Sequence, residues 1–188
     1  MSLTLTHRWE HALLADTIKK AAKSCPDCYL GRTHLQKMLY FMKVLGVPMN
    51  YGFEIYHYGP FCNSIRDDVE WLLADEVVKD ETTDSSRYSN YRPSETIGEL
   101  SNQFESELKQ HGSTIETVVS VLCDFTPENL ELLATIDFSF RWVKARGGTG
   151  PWKSSTIKKF KDIKKDKFED EEIETAYTKL VKANLIEC

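Results

Sequence analysis

The chain has 188 residues, of which 41% are hydrophobic and 28% charged, with a formal net charge of −5. These totals describe one globular domain, or two small lobes sharing a core, with no apolar run long enough for a membrane span. The acidic balance argues against a dedicated nucleic-acid binder, and five cysteines, an odd number scattered at 25, 28, 62, 123 and 188, argue against a secreted disulfide framework. Reduced thiols in a cytoplasmic protein are expected, since no cleavable signal pattern opens the chain.

Residues 7–23 are predicted to form the first helix, with Leu14, Ile18, Ala21 and Ala22 on one face at helical spacing. Cys25-Pro26-Asp27 ends it, because proline lacks an amide donor and disfavours helical geometry in the residue before it. A second helix over residues 32–45 carries Leu35, Met38, Leu39, Met42 and Leu45 on its buried stripe. Gln36, Lys37, Tyr40 and Lys43 are expected to face elsewhere, and Gly46 to stop the helix. Phe53, Ile55 and His57 alternate with Glu54, Tyr56 and Tyr58 as a short strand that Gly59-Pro60 breaks. Ser64 and Asp67 form a capping pair for a third helix with Ile65, Val69, Leu72 and Leu73 as its core face. Residues 77–80 and 87–92 flank a polar turn and predict a β-hairpin.

The second half reads as helical. Ile97, Leu100, Phe104 and Leu108 mark one helix stopped near Gly112, and Ser113 to Glu116 supplies a capping box for the next, with Ile115, Val118, Val119 and Leu122 as its core. Thr126-Pro127 starts a helix to Lys144 that is apolar nearly all round, the pattern of a buried centre. Residues 147–151 form a Gly-rich joint. Beyond it, Ile157, Phe160 and Ile163 predict a basic helix, and Ile173, Ala176, Tyr177, Leu180 and Val181 a final one. The expected architecture is mainly α with a small β-hairpin. A winged-helix-like core over residues 1–146 is joined through 147–151 to a basic helical segment, 152–188, packed on that core.

Several short motifs invite chemistry. His7, Glu10 and His11 match H-x-x-E-H, in which two histidines on one helical face could chelate zinc, but nothing supplies a third ligand and ordinary surface histidines are the better reading. Cys25 and Cys28 have C-x-x-C spacing, yet no second pair follows to complete a zinc site. A helix precedes the motif where a redox dithiol would need a strand, so a plain loop is expected. The Gly-rich joint places Trp152 where a phosphate loop requires glycine, which excludes that cradle. Seven lysines between 153 and 167 include Lys153, Lys158, Lys159, Lys161, Lys164 and Lys165, a possible nucleic-acid face, although charge runs are usually solvated helix faces. Asp137, inside the most apolar helix, is expected to pair with Arg141 at i+4. No supported nucleophile set is visible, so no catalytic residue, metal or cofactor is assigned.

Two stretches carry a resemblance: Gly31-Arg-Thr-His-Leu-Gln-Lys-Met-Leu-Tyr-Phe41 and Tyr56-His-Tyr-Gly-Pro-Phe61. They resemble the YwgA-like prokaryotic proteins and, more distantly, the Panacea (SocA-like, phage-associated) antitoxin domain, with His34 standing where a lysine is usual. The helices around Leu130–Ala134 and residues 167–186 are also similar to the YwgA-like group. The resemblance implies a non-enzymatic interaction module that neutralises or adapts a protein partner. It points to Gln36, Lys37, Tyr40 and Tyr58 as binding residues, with Gly59 and Pro60 as scaffold. A DNA-binding winged-helix-like regulator is the alternative, and a zinc-dependent hydrolase a distant third.

Overall fold

A computed structural model describes residues 6–83, 88–148 and 150–187. In chain order the elements are α1 (Trp9–Ser24), α2 (Arg32–Val44), β1 (Glu54–Tyr56), β2 (Gly59–Phe61), α3 (Asn63–Ala74), β3 (Val78–Asp80) and β4 (Tyr91–Pro93). They continue with α4 (Ile97–Gln103), α5 (Glu105–Leu122), α6 (Pro127–Ala145), α7 (Trp152–Lys164) and α8 (Asp170–Lys182). The protein is mainly helical with two small antiparallel strand pairs, β1–β2 and β3–β4. No helix among the described residues is long and apolar enough to cross a membrane. The chain divides into two compact units. Residues 1–53 and 62–125 form the first; residues 54–61 and 126–188 form the second.

In the first unit α1 packs against α5, α2, α3, α4 and β4, and α2 against α1 and α5. Leu13, Leu14 and Ile18 of α1, the stripe of Leu35, Met38, Leu39 and Met42 on α2, and Ile115 and Val119 of α5 are all buried. The hairpin predicted after α3 is present, pairing Val78 with Pro93 and Asp80 with Tyr91; residues 84–87, at its tip, lie outside the described residues.

Two predicted boundaries are corrected here. The break expected near Gly112 falls instead at Phe104, and α5 runs unbroken through Gly112 and Ser113 to Leu122. Gly112 lacks the left-handed backbone that a terminating glycine supplies, so it costs helix propensity without ending the helix. At α3, Cys62 is the N-cap and no side chain caps it, so the Ser64–Asp67 pair does not form; Asp67 accepts from Asn63 instead.

In the second unit α6 is the centre, packed against α7, α8 and β2. The Thr126 hydroxyl accepts from the Asn129 amide, and Pro127 fills the first helical position, as its sequence predicts. Leu130, Ile136 and Phe140 of α6 are buried, as are Phe160 of α7 and Ile173 and Tyr177 of α8. Asp137 is fully buried and takes two bonds from Arg141, at 2.7 and 3.1 Å, as its spacing predicts. The second unit resumes at Thr126, and the described residues of the Gly-rich joint, 147, 148, 150 and 151, belong to it.

Candidate interaction hairpin

The step expected to break the strand after Tyr58 is itself a strand. Gly59–Phe61 returns antiparallel on Glu54–Tyr56, pairing Tyr56 with Gly59, Ile55 with Pro60 and Glu54 with Phe61. Only His57 and Tyr58 lie between the strands. Gly59 has φ +84°, a conformation that side chains oppose. It also lies so close to α6 that a Cβ would stand 2.5 Å from Thr135 Oγ1. Glycine is thus required twice over, by the turn and by the approach to the helix.

The hairpin is tied down by charge as well. Glu131 on α6 is 2% exposed and pairs with Lys164 at 2.7 Å, while Lys167 donates to both its carboxylate oxygens at 2.8 Å. Lys164, also buried, donates to the His57 carbonyl at 2.8 Å, so the ion pair reaches the hairpin turn directly. The Lys167 ammonium lies 5.3 Å above the Tyr58 ring, within cation–π range. Tyr56 packs on the rings of His57 and Phe61, at 4.4 and 5.6 Å.

With its backbone fixed, the hairpin displays its aromatic rings outward: Tyr56 is 59% and Tyr58 63% exposed. Two phenols and an ammonium thus stand together on a backbone held by a glycine contact and a buried ion pair.

The other predicted site residues fare differently. Gln36, Lys37 and Tyr40 do not form an exposed face. The Gln36 amide bonds both backbone polar groups of Cys62 at 2.9 Å, Lys37 is 2% exposed, and Tyr40 packs edge-on against Phe41 and Phe53. The amphipathic reading of α2 assumed one wet side, whereas the helix is buried nearly all round. His34, beside them, is buried and bonded at 2.8 Å to the Phe125 carbonyl.

Of the lysines, Lys153 pairs with Glu174, Lys161 with Asp170, and Lys164 with Glu131. Lys159 stacks on Trp142 at 4.0 Å, with Arg146 against the same ring at 4.3 Å. Lys158 and Lys165 are exposed. A continuous phosphate-binding row is therefore broken up by local pairing.

His7, Glu10 and His11 do not converge either. His7 bonds Asp75 at 2.9 Å, His11 approaches Asp68 at 3.3 Å, and buried Glu10 accepts from the Asn50 amide. Neither histidine is a freely exposed surface group, contrary to expectation; each is partly buried against a carboxylate. No group of potential metal ligands stands out among the described residues.

A polar centre that the sequence reading missed surrounds Asp68 on α3. Arg8 donates to both its oxygens at 2.6 Å, Tyr51 donates its hydroxyl at 2.7 Å, and His11 approaches from α1. Burial alone would raise the Asp68 carboxyl; the bonds from His11, Arg8 and Tyr51 outweigh it and hold it at about 2. Burial pushes the Tyr51 phenol up, and its bond to Asp68 adds to that. The cluster clamps the start of α1 to α3. Glu131 was missed as well, although a carboxylate in a helix apolar nearly all round is the signal that singled out Asp137.

No family model matches the chain, and no curated protein matches it significantly.

Proposed function

We propose that this chain is a non-enzymatic interaction module that binds a protein partner, of the kind its resemblance to the YwgA-like and antitoxin domains implies. The observation supporting this reading is the display of Tyr56 and Tyr58 on a hairpin whose backbone is fixed to α6. Tyrosine offers large contact area at small conformational cost, and a rigid backbone lowers that cost further. On this reading the module acts in the cytoplasm without a cofactor, and Tyr58 is the one residue implied by the resemblance that faces outward. DNA binding through the lysines of α7 is the weaker alternative, because carboxylates already answer Lys153, Lys161 and Lys164. The zinc-hydrolase alternative has less support still, with its three residues turned to separate partners.

The test is a photo-crosslinking amino acid placed at position 58 in the full chain in its native cells, with position 116, an exposed site on α5, as the control. A discrete protein adduct at 58 and not at 116 is expected. The captured partner, purified, should bind the wild type at least about tenfold more tightly than Tyr58→Ala. Equal labelling at both positions, or unchanged affinity, overturns the reading.

A further inference from the structure

Cys25 and Cys28 are joined as a disulfide, their Cα atoms 5.3 Å apart, so the expectation of reduced thiols does not hold for this pair. The bond spans four residues, a ring so small that it restrains the unfolded chain less than any longer loop would. It also links no two elements. The turn it closes is already held by backbone bonds: Cys25 donates to the Ala21 carbonyl at 2.9 Å, and Cys28 to the Cys25 carbonyl at 3.1 Å. Arg92 Nη2 donates to the carbonyls of Pro26 and Cys28, each at 2.9 Å, and the Tyr91 amide donates to Leu30. A bond that adds so little support is better explained by its chemistry.

The setting suits exchange. Pro26 and Asp27 are exposed and both cysteines partly so, whereas Cys62 and Cys123 are buried thiols. A reagent meets the pair first. The Arg92 guanidinium, bonded to two carbonyls of the loop, places a permanent positive charge beside it, and Asp27 between the cysteines places a negative one.

We propose that Cys25 and Cys28 form a reversible redox site that exchanges electrons with an external dithiol. A thiolate of the dithiol attacks one sulfur, the Cys25–Cys28 bond breaks, and the departing sulfur keeps the electron pair and takes a proton from water. The second thiol of the reagent then displaces the protein sulfur from the mixed disulfide. The protein gains two electrons and two protons, and the dithiol becomes a cyclic disulfide. Oxidised dithiol reverses the sequence.

The full chain carrying Cys188→Ser is equilibrated in graded mixtures of reduced and oxidised dithiothreitol. It is then quenched with iodoacetamide without denaturant and weighed intact. The expected result is a single two-electron transition from zero to two labels, mapped to Cys25 and Cys28, reversed by oxidant and leaving the circular dichroism unchanged. Cys25→Ser should trap a one-to-one adduct on Cys28 when mixed with oxidised glutathione. Labels that do not change across the range, labelling of Cys62 or Cys123 instead, or loss of the folded spectrum on reduction would each overturn the proposal.

Discussion

Each unit holds a buried carboxylate that gathers several partners, Asp68 in the first and Glu131 in the second, and the two are satisfied in different ways. Asp68 collects a half-exposed arginine, a phenol and an imidazole, so its permanent cation reaches solvent. Glu131 faces two ammonium groups, and one of them, Lys164, is as buried as the carboxylate itself. Removing Glu131 leaves the buried Lys164 ammonium without its carboxylate in a region that does not solvate it, whereas the loss of Lys164 still leaves Glu131 paired with Lys167. Polar networks of similar size can therefore differ greatly in what their loss costs.

The largest expected effect follows from that difference. Glu131→Leu should destabilise the protein by about 3–5 kcal/mol in urea unfolding, and adding Lys164→Met should recover most of it. An equal loss in the double variant would break the comparison, showing that the pair is not the unit that matters. Next, Gly59→Ala should cost roughly 2–4 kcal/mol, from left-handed backbone strain and the Thr135 clash together. In a Thr135→Ala background the cost should fall to the backbone part alone, about 1–2 kcal/mol.

Acid should sharpen the contrast from the other side. Asp68 sits at about 2 in the fold, below an unfolded carboxyl near 3.9, so the unfolded chain takes up the proton first. Stability should drop as pH falls from about 5 to 2, by roughly 1–2 kcal/mol given the exposure of Arg8, and Asp68→Asn should flatten that limb. His34 begins a shallower decline earlier. Burial lowers its pKa more than the Phe125 carbonyl raises it, so the unfolded chain protonates first below about 6.5. Chemical denaturation at stepped pH separates the two limbs, and His34→Gln should remove only the upper one. The smallest effect belongs to the surface: Tyr58→Ala should change stability by no more than about 1 kcal/mol, the scale of its contact with Lys167.

Helical periodicity made most of this fold legible. The stripe of α2, the Thr126-Pro127 start of α6 and the hairpin after α3 are local patterns, and local patterns are what a sequence displays. The site was largely hidden because its causes are distant. Gln36 and Lys37 look wet on a helical wheel, but Cys62, 26 positions away, satisfies the amide, and neighbouring helices cover the rest of α2. Gly59-Pro60 looks like a terminator until α6 comes within reach and the left-handed glycine becomes a contact point. Charge is the most misleading cue of all. Asp68 carries no local mark of burial, and the groups that allow it and Glu131 inside arrive from elsewhere in the chain.

The supports of the hairpin come late in the chain. During synthesis the Tyr56–Tyr58 turn leaves the ribosome some 70 residues before Glu131 and about a hundred before Lys164. At ordinary translation rates that is roughly 4–20 s in which two aromatic rings are displayed on a turn with nothing beneath it. Whatever meets the nascent chain in that interval meets these rings before the hairpin has its final shape. The fixing of the hairpin then waits on the synthesis of α6 and α7, and slow codons between residues 61 and 131 would lengthen that interval.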